Sequence, residues 1–157
     1  MPSTRNIKDA VVRLQKAWAY LEQQYPILFP NDPKPFLIEV FRPAAVQRAY
    51  YAQGREKLAI VNSLRRGAEL AAISEAENRR IITKSKPGTS KHERWPSQAF
   101  DIAFLTPDKK SLDYTPRLFN QAAVILRAEF PDVRWGGDFN GNGKADDSFV
   151  DRPHFEV

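Results

Sequence analysis

The strand-like runs of this chain are few, short and bunched late, and that limits the folds open to it. FLIEVF (36–41) and AFDIAF (99–104) carry apolar, β-branched and aromatic residues, and VRW (133–135) and HFEV (154–157) are shorter still. Each reads as a strand, and RIITKS (80–85) reads as another. Between and before them the apolar residues follow a helical period. Ile7, Val11, Leu14, Trp18 and Leu21 mark an amphipathic helix from Ile7 to about Gln24, closed before Pro26. Pro43 suits the first turn of a helix running to about Gln53 and ended by Gly54. Residues 56–80 read as helical in one or two pieces, broken near Gly67. Thr115 can cap a helix from Pro116 to about Glu129. Helix, strand, helices, strands, helix, strands is the order of an α+β fold, with helices packed on a small, mostly antiparallel sheet.

A length of 157 residues predicts one domain, and a hydrophobic share of 42% suits an ordinary globule. No apolar run approaches the roughly 18 residues of a membrane span. Lys8 and Asp9 interrupt the stretch where a secretory signal needs continuous apolar residues, so no signal peptide is expected. There is no cysteine, which excludes disulfides and thiolate ligands. Any metal must then be held by His, Asp or Glu. The net charge is +5, which favours anionic partners. Lys and Arg are spread along the chain, with only LRRG and NRRI clustered, and the reading is a solvated basic surface rather than a nucleic-acid binder.

The chain has two histidines, His92 and His154, each beside carboxylates and each near a strand-like run. Asp101 stands inside AFDIAF, where an acid is costly unless it is paired or coordinating. By alternation it shares a face with Ala99 and Ala103, small residues that leave room. His92, Asp101 and His154 fit a zinc site with an open position, and the same set fits an iron(II) facial triad. Asp151 lies three residues before His154. A carboxylate beside the third ligand serves a hydrolase as a base and has no use in an oxygenase.

These blocks, SKH…AFDIAF, WGGDF and DRPHFE, together resemble the zinc D-Ala-D-Ala carboxypeptidase and L-alanyl-D-glutamate endopeptidase family, with the phage endolysin branch nearest. The stretch VFRPAAVQRAYYAQGR (40–55) is similar to the family segment in which an arginine follows a strand and precedes a helix. The resemblance covers about residues 36–157 as a peptidase core, with 1–35 as an added N-terminal helix and proline-rich loop. It implies zinc on His92, Asp101 and His154, Asp151 as base, and Arg42 polarising the scissile carbonyl. Ser90 would touch substrate or support a ligand. The implied substrate is the peptidoglycan stem peptide, cut by a monomeric endolysin that stays in the host cytoplasm until released. A D-Ala-D-Ala carboxypeptidase of the same fold and a non-catalytic wall-binding module are the alternatives. The chain departs from the family in a longer His92-to-Asp101 interval, with the extra residues in ERWPSQ, and in a longer segment between Arg55 and Thr83.

DFNGNGKADD (138–147) carries a second cation pattern. Asp138, Asn140 and Asn142 fall at positions one, three and five of an EF-hand-type loop, with Gly143 at six. Phe149 stands where such a loop needs Glu, so Asp146 or Asp147 would have to supply the missing carboxylate to calcium. An Asn-Gly-rich turn is the competing reading.

Overall fold

The computed structural model describes residues 2–143 and 150–157. It shows an α+β fold built on a four-stranded antiparallel sheet. The strands are β1 (Phe36–Glu39), β2 (Ala99–Ala103), β3 (Arg134–Trp135) and β4 (His154–Glu156), in the order β1-β2-β4-β3. Alternation gives the sheet two unlike faces. Phe100, Ile102 and Phe155 point into the main core, where α1 (Val12–Leu28) and α5 (Pro116–Glu129) cover them. Asp101, His154 and Glu156 therefore point the other way. Phe100 and Phe155 are partners in the β2–β4 register and stack with ring centroids 5.5 Å apart.

The first helix starts later and ends later than its periodicity suggests. Residues 9–11 are drawn to the loop before β2, where Ser97 N donates to Asp9 O (2.8 Å) and Val11 N to Ser97 O (2.9 Å). That leaves only a 3-10 turn at Ile7–Asp9, and α1 begins at Val12. Pro26 does not stop it. Leu14, Ala17, Leu21 and Tyr25 form one fully buried stripe that ends just before Pro26, and the helix runs on through exposed Ile27 and Leu28 to a last turn closed by Phe29 N donating to Tyr25 O (2.8 Å).

A helical unit leaves the sheet after β1. It holds α2 (Ala44–Ala52), α3 (Leu58–Gly67) and α4 (Glu75–Asn78), and α2 and α3 share a small separate core of Val46, Ala49 and Ala68. Gly54 ends α2 with φ +81, where a β-carbon would press on the Ile81 side chain and the Arg80 backbone. RIITKS is not a strand. Ile81 and Ile82 are exposed, and the carbonyls of the segment are taken by side chains rather than by a neighbouring strand: Arg55 Nη2 donates to Thr83 O (3.0 Å) and Gln47 Nε2 to Ser85 O (2.7 Å). Thr115 stands at the cap of α5 as expected, but its hydroxyl donates to Asp113 Oδ1 (2.6 Å) instead of capping the helix. No described helix is long and apolar enough to cross a membrane.

Candidate metal centre

Two of the three ligand candidates are neighbours because of strand register. Asp101 on β2 pairs directly with His154 on β4, which sets their side chains together on the face away from the core. His92 arrives from the other side on a one-turn 3-10 helix, Lys91–Glu93. Ser90 caps that turn. Its Oγ accepts from His92 N (3.3 Å), while Glu93 reaches back to accept from Ser90 N (3.1 Å) and Gly88 N (2.9 Å). Ser90 thus holds the backbone of a ligand candidate, and it also lines the cleft.

The three donor atoms form a near-equilateral triangle. His92 Nε2 lies 3.1 Å from Asp101 Oδ1 and 3.2 Å from His154 Nδ1, and His154 Nδ1 lies 3.0 Å from Asp101 Oδ1. The outer nitrogens decide what these atoms present to one another. His92 Nδ1 faces the Val40 carbonyl at 2.7 Å, an acceptor, so Nδ1 carries the hydrogen and Nε2 of the neutral ring is a bare lone pair. His154 Nε2 faces Glu156 Oε1 at 3.5 Å, so it too holds a hydrogen and leaves Nδ1 bare. With both rings neutral, two imidazole lone pairs and a carboxylate oxygen converge, and a proton on His154 Nδ1 would instead be donated to Asp101 Oδ1 (3.0 Å). A cation satisfies all three at once, and this group can hold a metal ion.

The charge of the pocket points the same way. Burial alone would raise the Asp101 carboxyl, but His92 and His154 outweigh it and hold it far below the usual carboxylate range. Burial opposes charge on His154, yet its bonds to Asp101 and Glu156, with Asp151 nearby, raise its pKa to about 10. A proton on Nδ1 and a metal ion compete for one lone pair, and the surrounding carboxylates favour positive charge in either form. Glu156, itself buried, is held below its ordinary value by His154 against the effect of burial.

An open cleft of about 360 Å³ exposes the triangle to solvent, walled by Tyr50, Ile82, Tyr114 and Phe139. Asp151 and Arg42 line it as well, so the cleft gathers all six residues the sequence singled out around the metal pattern: Arg42, Ser90, His92, Asp101, Asp151 and His154. Asp151 is held by its backbone. Its N donates to Gly136 O (2.7 Å), its O accepts from His154 N (3.1 Å), and a β-carbon on Gly136 would collide with that same carbonyl oxygen. Burial, and then the charge of Asp101, push the Asp151 carboxyl above its ordinary value.

Arg42 is not a loose cation. Its Nε donates to Glu39 Oε1 (2.6 Å), Nη2 pairs with the same carboxylate, and Nη1 donates to Gln47 Oε1 (2.6 Å). Glu39 and Gln47 were not among the residues singled out from sequence. Glu39 carried the same signal as Asp101, an acid inside an apolar strand. Gln47 is fully buried in α2, and only its burial marks it.

The residues of the second cation pattern are partly committed to protein. Asp138 is buried, with Oδ2 accepting from Arg127 Nη2 (2.7 Å) and Gly143 N (2.9 Å), while Oδ1 has no hydrogen-bond partner among the described residues. Asn140 Oδ1 accepts from Asn142 N (3.1 Å). Asp146 and Asp147 lie outside the described residues. Searched against known protein families, the chain matches no family model.

His154→Ala is expected to abolish metal retention by the purified protein, read by elemental analysis. Retention equal to that of the unaltered chain would remove His154 from the ligand set.

Proposed function

We propose that the chain is a zinc-dependent peptidase that cleaves peptidoglycan stem peptides, most closely an L-alanyl-D-glutamate endopeptidase of the phage endolysin kind. The observation that carries this reading is the convergence of His92 Nε2, His154 Nδ1 and Asp101 Oδ1 beside the half-buried Asp151 on one open cleft. Donors bound to tetrahedral zinc at about 2.0–2.1 Å lie about 3.3 Å apart, close to the 3.0–3.2 Å edges of the triangle. Two nitrogens and one oxygen also suit iron(II), but the acid at position 151 adds a proton acceptor that only hydrolysis needs.

Zinc, when bound, would supply Lewis acidity and a water acidic enough to ionise near neutral pH. Asp151 takes the proton of the attacking water and returns it to the leaving amine nitrogen. The guanidinium of Arg42, with up to three of its five N–H groups held by Glu39 and Gln47, keeps the rest for the oxyanion that develops on the scissile carbonyl. Glu156 and the Val40 carbonyl keep the two imidazoles in their ligating tautomers. The resemblance of SKH…AFDIAF, WGGDF and DRPHFE to the family supports the substrate class.

Mass spectrometry of purified peptidoglycan after digestion tests this. The expected products are stems released by a cut between L-alanine and D-glutamate. Loss of terminal D-alanine alone would make the chain a carboxypeptidase instead, and unaltered muropeptides would refute the peptidase reading.

A further inference from the structure

The positive charge of this chain is concentrated in one part of the fold. Residues 44–94 carry 11 Lys and Arg against 5 Asp and Glu, a net +6, while the other 106 residues carry 13 against 14, a net −1. Exposed cations without an ion pair among the described residues occur in both parts, Arg5, Lys8, Lys109 and Lys110 among them outside the segment. Outside this segment Arg13, Arg117 and Arg127 are each paired with an aspartate: Asp132, Asp32 and Asp138. Within it, Arg79, Arg80, Lys86 and Arg94 are exposed and make no ion pair among the described residues. Of the local acids, Glu93 is spent on the backbone N–H groups of Gly88 and Ser90.

These cations flank cleft-lining residues along the chain. Ile82, Thr83, Ser85 and Lys91 line the cleft, so Arg79 and Arg80 precede the cleft wall, Lys86 continues it, and Arg94 follows the turn that carries His92. We infer that the 44–94 face docks peptidoglycan through its own carboxylates, with Arg79, Arg80, Lys86 and Arg94 holding stem peptides next to the one being cut. Guanidinium and carboxylate match in shape and charge. Each exposed pair is weak alone, but several on one polymer add through effective concentration. The identity of the polymer rests on the peptidase reading; the basic face does not.

The test is co-sedimentation of the protein with peptidoglycan stripped of attached phosphodiester polymers, at low and at physiological ionic strength. Arg79→Glu with Arg80→Glu is expected to weaken binding about 10-fold or more at low salt. Arg5→Glu with Lys8→Glu removes the same charge from exposed sites elsewhere and is expected to change binding little. Amidating the carboxylates of the peptidoglycan should weaken binding of the unaltered protein. Equal weakening by the two pairs would replace a docking face with net charge and overturn the inference. So would unchanged binding to amidated peptidoglycan, binding only to walls that keep their phosphodiester polymers, or preferential binding to duplex DNA. Arg48→Glu with Lys86→Glu serves in place of the first pair should that variant fail to melt cooperatively. Cleavage of a single soluble stem peptide should be unaffected by the 79/80 pair. If the unaltered protein fails to cleave that peptide while the sedimentation pattern holds, the docking face stands and the peptidase reading falls.

Discussion

Asp151→Asn is expected to lower turnover by at least ~10²-fold, the lower end for loss of a general base, while the metal content of the protein stays unchanged. The position of residue 151 does not depend on its carboxylate. Its backbone N and O are bonded to Gly136 and His154, so the amide side chain should occupy the same place with nearly the same volume. What the substitution removes is the proton acceptor, and burial with the neighbouring Asp101 charge has already raised that acceptor's basicity. Turnover of a soluble stem peptide and elemental analysis of the same preparation decide between roles. Loss of metal together with activity would make Asp151 a ligand, and near-normal turnover would end its role as base.

A chain ending at Pro153 is expected to lose cooperative folding as well as activity. The four missing residues are the strand that joins β2 to β3. Phe155 is buried against Phe100, Val157 packs partly on the same core, and Val157 N donates to Gln98 O (3.0 Å). Full burial of Phe155 alone contributes about 1.5–3 kcal/mol, to be set against a typical domain stability of about 5–15 kcal/mol. The truncation also strands β3, whose two residues pair with no other strand among the described residues. His154→Ala separates the effects, since it removes a ligand but keeps Phe155, and it should be inactive yet folded. Thermal unfolding of both variants is the measurement. A truncated chain that melts near the full-length temperature would show that the terminal strand adds little to the sheet.

Local rules carried the reading far where they had no competitor. The alternation in AFDIAF placed Asp101 opposite Phe100 and Ile102, and Thr115-Pro116 marked the start of α5 to the residue. They failed where tertiary contacts overrode them. RIITKS lost its strand because side chains of α2 and its end claim its carbonyls, and Pro26 lies within a helix although the buried stripe ends at Tyr25 just before it. The metal pattern was visible as residue types, but what makes it a pocket was not. The Val40 carbonyl that fixes His92 is a backbone atom with no signature in sequence, and the Asp101–His154 pairing depends on register between strands 53 residues apart. The charge and its concentration in residues 44–94 can be counted along the sequence, but which of those cations lack an acidic partner needed the structure.

The base of the helical unit has one more consequence. Asn78 is buried, accepts from Gly54 N (3.2 Å) and donates to Glu56 O (2.9 Å), while Gln53 Nε2 donates to Glu77 O (3.0 Å). Residues 54–78 therefore leave and return through one pinned neck, and everything distal to it stands apart from the main core. Lengthening such an excursion costs only about 0.6 kcal/mol per doubling of its length. The neck is a natural graft point: α3 and α4 can be resized, exchanged or replaced by another module without rebuilding the sheet that carries the ligands. Changes in the length or sequence of residues 57–76 can therefore accumulate without moving Asp101 or His154, which are fixed by the β2–β4 register.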